Sequence, residues 1–177
     1  VNAAASPALR MKEVNPALRI VVDPILGDAP KGLYVAEVVA DADSDRLVPL
    51  ADSLTPNLFE LQWLSGRACT DLGDCREAAR ALGPGTVHVT SPPLTDAETG
   101  VLSVTAQRAQ LFRTPRLPDV PHGVGDVLAT LIAAGVPAGQ AAGHLLALAR
   151  ASAGQPHLRI VAAAKDWASA PAITAED

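Results

Sequence analysis

The chain has 177 residues, 49% of them hydrophobic and 19% charged, with a net charge of -5. That much apolar material is enough for one globular domain and excludes a disordered chain. The acidic balance, with no basic cluster, argues against nucleic acid or an anionic membrane surface as the main partner, and favours a small-molecule ligand.

No apolar run reaches the length of a membrane span, and the stretch at residues 127–136 stops at Gly135 and Pro137. No signal peptide is recognisable either. The two cysteines, Cys69 and Cys75, lie in a polar segment with no histidine nearby, so neither a zinc site nor a disulfide framework is indicated and a reduced, cytoplasmic setting is expected. The chain starts at Val1 and its only methionine is Met11, which suggests a fragment.

Residues 7–14 read as a short helix, followed by an apolar, β-branched strand at 18–22 that ends at Asp23-Pro24. A glycine-bearing loop comes next. Residues 35–50 show helical spacing of Val38, Val39, Leu47 and Leu50, and 53–55 form a short strand ended by Pro56. Residues 56–65 read as a helix stopped at Gly66, 71–82 as an amphipathic helix, and 86–90 as a strand entered through Gly83-Pro84-Gly85. This alternation predicts a single α/β domain with a mostly parallel sheet covered by helices on both faces, and a ligand crevice outside the carboxyl ends of the strands.

Residues 101–106 and 109–113 then resemble a hairpin turning at Gln107-Arg108, although without the usual glycine. Two alanine-rich helices follow at 124–134 and 138–151, joined by Gly135-Val136-Pro137. A last strand is expected at 158–162, and a polar tail from Pro171 onward.

The most informative motif is Gly123-Val124-Gly125-Asp126 at the start of the most apolar helix. Two glycines let backbone N–H groups converge, the helix start adds positive potential, and a carboxylate stands beside this anion nest, an arrangement suited to phosphoryl transfer to a hydroxyl. A G-x-G turn before a helix is also a common structural device.

Other candidates fall just past strand ends. Asp23 and Asp28 follow the first strand and could hold a hard cation, or simply shape a turn. Thr55, Asn57 and Glu60 follow the second strand, where Glu60 points back toward the helix start as a site residue or as an ordinary cap. Thr90 and Ser91 end the third strand and offer hydroxyls to a phosphate. Their convergence on one crevice is what capping alone does not explain. His122 adjoins the glycine turn but reads as a plain loop residue, His88, His144 and His157 as structural or exposed, and Trp63 and Trp167 as packing residues.

Taken in order, VVDPILGD, GLYV, ADSLTPNLFELQWLSG, VHVTS and HGVGD resemble the pyridoxal kinases of the ribokinase-like superfamily, over most of residues 18–151. The G-V-G-D turn marks the superfamily broadly, and DPILGD with GLYV and T-P-N-x-x-E-L narrows it to the pyridoxal kinase branch. The hydroxymethylpyrimidine kinases share the turn and a similar T-P-N helix but usually lack GLYV, and stand as the alternative.

The resemblance implies that Asp126 takes the proton of the 5'-hydroxyl of pyridoxal while the Gly123, Val124 and Gly125 amides stabilise the transferring γ-phosphoryl group of ATP. It also implies that Asp23, Thr55 and Glu60 hold ATP phosphates and Mg2+, directly or through water, with Asp28 and Asn57 in support. Thr90 corresponds to a nucleotide-contacting strand end, and Thr114, Pro115, Arg116 and Leu117 to the loop over the nucleotide. A monovalent cation beside Mg2+ and a homodimeric full-length form also belong to the family pattern. Strands that build most of the family's pyridoxal pocket have no counterpart here, so roughly the first third is expected to be missing, with the 18–22 strand as an exposed sheet edge. A nucleotide-binding fragment without turnover is the corresponding non-enzyme reading.

Overall fold

Pro24 has no amide to extend the first strand, and the β-branched run pairs only as β1 (Val21–Val22), shorter than the predicted 18–22. The computed structural model describes residues 2–177. Ahead of β1, helix α1 (Asn2–Val14) begins at Asn2 rather than Pro7. It is tied to the sheet by Lys12, whose Nζ lies 2.8 Å from the Asp52 carboxylate that also accepts the Ile20 amide.

The loop after β1 closes into a small antiparallel hairpin, β2 (Gly27–Asp28) with β3 (Gly32–Leu33), which has no strand signal in its composition. The predicted 35–50 helix is divided by Pro49 into α2 (Glu37–Arg46) and a 3-10 turn, Val48–Leu50. The buried side of α2 carries Ala40 and Asp43; of the expected apolar face, Val38 and Val39 are turned outward, with Val38 72% exposed, while Leu47 packs against the core. Leu9, Met11 and Val14 of α1 are also exposed.

The remaining elements are β4 (Ser53–Leu54), α3 (Leu58–Ser65), α4 (Leu72–Ala81), β5 (Thr86–Thr90), β6 (Glu98–Val104), β7 (Ala109–Pro115), α5 (Val124–Ala133), α6 (Ala138–Ser152) and α7 (Ala164–Trp167). The five-stranded sheet has the order β1-β4-β5-β6-β7. β1, β4 and β5 are parallel, with Val21 opposite Ser53 and Ser53 opposite Thr86, and β6 alone runs against the other four strands. β1 forms one edge.

Side-chain alternation along the strands feeds two cores. Leu54, Val87, Val89, Leu102 and Leu111 pack with Leu61, Cys75 and Ala78 of α3 and α4. Val101 and Phe112 pack with Leu128, Ile132 and Ala141 of α5 and α6. Helices therefore cover both faces of this α/β sheet. Cys69 and Cys75 are free thiols in the first core, and burial pushes Cys75 up to about 12, so it packs as a small apolar group.

The β6–β7 turn manages without glycine because Thr105 closes it: its backbone amide donates to the Arg108 carbonyl at 2.8 Å, and its Oγ1 accepts the Arg108 amide at 3.0 Å. Two expectations at the carboxyl end are corrected. Residues 158–162 form turns leading into α7, not a strand; the Ile160 carbonyl accepts the Trp167 indole N–H at 2.8 Å, and Val161 is 89% exposed. The tail from Pro171 is docked: Leu111 and Glu176 exchange backbone hydrogen bonds of 2.8 and 2.9 Å, adding a bridge beyond β7.

Between β5 and β6, the buried His88 Nδ1 lies 2.7 Å from Ser103 Oγ, and burial lowers the imidazole pKa from 6.5 to about 4. The folded chain thus keeps His88 neutral where the unfolded chain takes up a proton, so stability is lost as pH falls from 6.5 toward 4. The expected loss is about 3 kcal/mol, from about 1.4 kcal/mol per pH unit. Urea denaturation at pH 7 and pH 4 should show this difference reduced by about that amount in His88→Gln.

Candidate active site

Asp23 and Thr55 follow, and Thr90 ends, strands of the parallel half of the sheet, so strand direction alone brings them to one end of it. Thr55 Oγ1 donates to Asp23 Oδ1 at 3.0 Å, while the Thr55 amide bonds the Val22 carbonyl at 3.0 Å. The Thr90 amide donates to the Pro56 carbonyl at 2.9 Å, which ties the third strand end to the second.

The start of α3 is closed by a capping box. Asn57 Oδ1 accepts the Glu60 amide at 2.9 Å, and Glu60 Oε2 accepts the Asn57 amide at 2.9 Å. The box extends into the neighbouring loop: Glu60 Oε1 accepts the Leu26 amide at 2.7 Å and the Gly27 amide at 3.4 Å, and Asn57 Nδ2 donates to the Gly27 carbonyl at 2.8 Å. Capping and site formation are therefore the same set of bonds. Glu60 is 4% exposed, and desolvation raises its pKa against the lowering effect of these amides.

Gly123 adopts a left-handed φ of 105° as the N-cap of α5, a conformation that favours glycine. The helix then presents the first-turn amides, with Asp126 exposed beside them. A Cβ on Gly125 would meet nothing within 4 Å, so this backbone borders open space.

These groups line one cavity of about 180 Å3. Asp23 and Asp28 come from the loop and hairpin after β1, and Thr55, Asn57 and Glu60 from the β4–α3 junction. Thr90, Gly123, Gly125 and Asp126 complete the other side. No lysine or arginine is among the lining residues. Burial raises the Asp23 carboxyl, and the neighbouring Asp126 charge pushes it in the same direction against the Thr55 hydrogen bond. Among the described residues no group of three or more His, Cys, Asp or Glu side chains is placed to hold a metal ion by itself.

Thr90 and Gly125 also border a second, larger cavity of about 260 Å3 whose walls are mainly hydrocarbon. Thr114, Pro115, Arg116 and Leu117 lie along it, with Ser91 and Val124 near the shared rim. Phe112 of β7 and Ala142, Leu145 and Leu146 of α6 form its apolar body. The two cavities adjoin at Thr90 and Gly125, the first polar and acidic and the second apolar, and together form a cleft of mixed character.

Sequence reasoning missed several of these residues. Ile25 and Tyr34 line the acidic cavity and are exposed, and Ile25 holds a φ of 50°, which is strained for a β-branched residue. The DPILGD and GLYV segments that carry them were visible as motifs. Phe112 and the α6 residues had no separate signal, because an apolar wall reads as core. His122 is exposed and is not among the lining residues of either cavity.

A helix start, carboxylates past parallel strand ends and an adjoining apolar cavity define an α/β protein with a cleft at the carboxyl ends of its parallel strands, the place where such sheets usually take ligands. The sequence model of the phosphomethylpyrimidine kinase family matches residues 4–153, and the chain belongs to that family. It is 42% identical over 131 residues to a pyridoxal kinase, PdxY, of Leifsonia xyli subsp. xyli, covering 71% of this chain and 46% of the relative. It is 40% identical over 136 residues to a pyridoxine/pyridoxal/pyridoxamine kinase of Bordetella avium, covering 73% and 46%. The chain thus spans about half the length of these relatives.

The fold matches that of solved pyridoxal kinases. The Entamoeba histolytica structure gives a TM-score of 0.85 at 24% identity, covering 99% of this chain and 67% of that one. The Leishmania donovani enzyme in complex with ADP and pyridoxine gives 0.82 at 24% identity, covering 98% and 68%.

Replacing Glu60 by Gln puts an N–H donor where one of the buried oxygens now accepts backbone amides. The expected loss of stability is about 1–3 kcal/mol, read by urea denaturation. Hydrogen exchange should quicken at the Leu26 and Asn57 amides, which bond opposite oxygens of this carboxylate.

Proposed function

We propose that this chain is the nucleotide-binding and catalytic portion, a single domain, of a pyridoxal kinase that transfers the γ-phosphoryl group of ATP to the 5'-hydroxyl of pyridoxal. The observation that carries the reading is the joined cleft, in which an anion nest and carboxylates adjoin an apolar cavity. The relatives at 42% and 40% identity favour pyridoxal over hydroxymethylpyrimidine as the acceptor.

In this reading the purine base and ribose occupy the apolar cavity along residues 114–117, and the phosphates run past Thr90 to the start of α5. The amides of that first turn compensate charge on the transferring group, and Asp126 accepts the hydroxyl proton as the oxygen attacks the γ-phosphorus and the bond to ADP breaks. Asp23, oriented by Thr55, stands beside the phosphate path. Glu60 and Asn57 contribute by fixing the loop that bears Asp28, since their polar atoms are already engaged with backbone groups.

A cavity with four carboxylates and no basic side chain repels a free polyphosphate, so its donor set fits a magnesium ion shared with the phosphates. Asp23 and Asp28 would hold it, directly or through water, and it would neutralise phosphate charge. A monovalent cation, a homodimeric whole protein and a cytoplasmic setting belong to the same proposal.

The test is ATP-dependent formation of pyridoxal 5'-phosphate by the chain, with hydroxymethylpyrimidine as competing acceptor. Asp126→Asn should lower turnover by about 10²–10⁴ with little change in ATP affinity. Transfer to the pyrimidine in preference to pyridoxal would overturn the acceptor assignment, and turnover untouched by the substitution would overturn the role of Asp126. ATP binding without turnover would favour the second reading, a nucleotide-binding portion only, which the 46% coverage of the relatives motivates.

Gly125→Ala gives a separate check on the phosphate path. Its Cβ has room in the empty cleft, so thermal stability should hold. ATP affinity should nevertheless fall by about tenfold or more, equivalent to about 1.4 kcal/mol, as measured by calorimetry.

A further inference from the structure

The two walls of the apolar cavity come from different elements, Phe112 and Thr114 from β7 and Ala142, Leu145 and Leu146 from α6. Both elements are held by the same short segment, residues 171–177. On β7, Leu111 donates its amide to the Glu176 carbonyl at 2.8 Å and accepts the Glu176 amide at 2.9 Å. On α6, the Gly139 carbonyl accepts the Ile173 amide at 2.9 Å, and just before the segment Gln140 Nε2 donates to the Ala170 carbonyl at 2.6 Å.

The seat for this segment is built from glycine. Gly139 and Gly143 lie four residues apart, on one face of α6. A Cβ on Gly143 would overlap the Pro171 carbonyl oxygen. One on Gly139 would come within 2.8 Å of the Ile173 oxygen and 2.9 Å of the Phe112 ring. Phe112 therefore touches the seat with one edge while lining the cavity, and Ile173 and Ala175 pack into the same core as Phe112 and Leu145.

The charged contacts are peripheral. Arg113 reaches Glu176 at 3.1 Å and Glu98 at 2.9 Å, and Arg108 reaches Asp177 at 3.0 Å, but Glu176 and Asp177 are largely exposed and such pairs contribute little. Backbone pairing and apolar packing hold the segment.

We propose that residues 171–177 act as a strap that sets the spacing between β7 and α6, and so positions the apolar cavity for the nucleoside part of the nucleotide. The proposal rests on the nucleotide reading given above. The strap touches no ligand; it acts through Phe112 and the α6 wall. Its removal should therefore weaken binding of the base and ribose while leaving the phosphate end of the cleft unchanged, a split that general loss of structure would not produce.

Two probes separate these ends: magnesium-ATP, which uses both, and magnesium tripolyphosphate, which uses only the acidic end. They are titrated by calorimetry into the 177-residue chain, into the chain ended after Ala170, and into Gly143→Ala, which keeps the segment but blocks its seat. In both altered chains ATP affinity should fall by about tenfold, equivalent to about 1.4 kcal/mol, while tripolyphosphate affinity stays within about twofold. The Leu111 amide should lose its hydrogen-exchange protection alongside. Unchanged ATP affinity in either altered chain, or a parallel loss for both probes, would overturn the strap. If the unaltered chain binds ATP no more tightly than tripolyphosphate, the nucleotide reading itself fails, and the strap with it.

Discussion

The acidic end of the cleft depends on one buried carboxylate. Glu60 joins the start of α3 to the loop after β1 by accepting amides from Asn57, Leu26 and Gly27, and Asn57 returns a bond to the Gly27 carbonyl. Gly27 can sit there only because it has no side chain: a Cβ would overlap the Gly32 carbonyl oxygen and come within 2.6 Å of the Phe59 ring. Two segments distant in sequence thus become one rigid wall. Burial makes the charge of Glu60 expensive, and three charge-assisted amide bonds offset that cost without a basic partner.

That wall faces the start of α5 across the cavity, and the sheet sets the separation. β1 and β4 stop level with each other at Val22 and Leu54, and β5 runs on to Thr90, which bridges Asn57 beyond the end of β4, so the residues past all three strand ends gather at one end of the sheet. The antiparallel hairpin β6–β7 changes the character of the site from that point. It carries apolar side chains past the last parallel strand, so the cleft passes from carboxylates and amides to hydrocarbon at Thr90 and Gly125. A triphosphate joined to a purine has the same polarity gradient.

The sequence was most legible where chemistry and backbone geometry coincide. A carboxylate or hydroxyl next to an apolar strand marks a strand end, and Asp23, Thr55 and Thr90 stand at such places, while Asp126 stands at a glycine-marked helix start. Strand 86–90 and the start of α5 were readable because five alternating residues and a glycine turn are strong local signals. Where pairing depends on distant partners, the pattern fell short. β2 and β3 are two residues each and exist because Glu60 and Asn57 fix the loop, while residues 158–162 have strand composition but give a backbone carbonyl to Trp167 instead of a neighbour strand. In the tail, the alternation of Ile173 and Ala175 toward the core was present in the sequence but too short to distinguish from a polar end.

The charge distribution constrains how any phosphate could enter. Asp23, Asp28, Glu60 and Asp126 border a cavity with no lysine or arginine among its lining residues, where the peptide dipoles at the start of α5, equivalent to roughly half a charge, supply positive potential. A bare triphosphate would meet net repulsion there, and Asp23, whose carboxyl is raised chiefly by burial, already feels a smaller push in the same direction from the Asp126 charge. A nucleotide, on the proposed reading, settles there with its phosphate charge already reduced. The hydrocarbon end of the cleft has the complementary property of gaining from burial whatever the charge state of the phosphates. On the proposed reading, the apolar cavity supplies affinity and the acidic cavity supplies selection for the metal complex over the free nucleotide, so neither end of the cleft could serve a kinase alone.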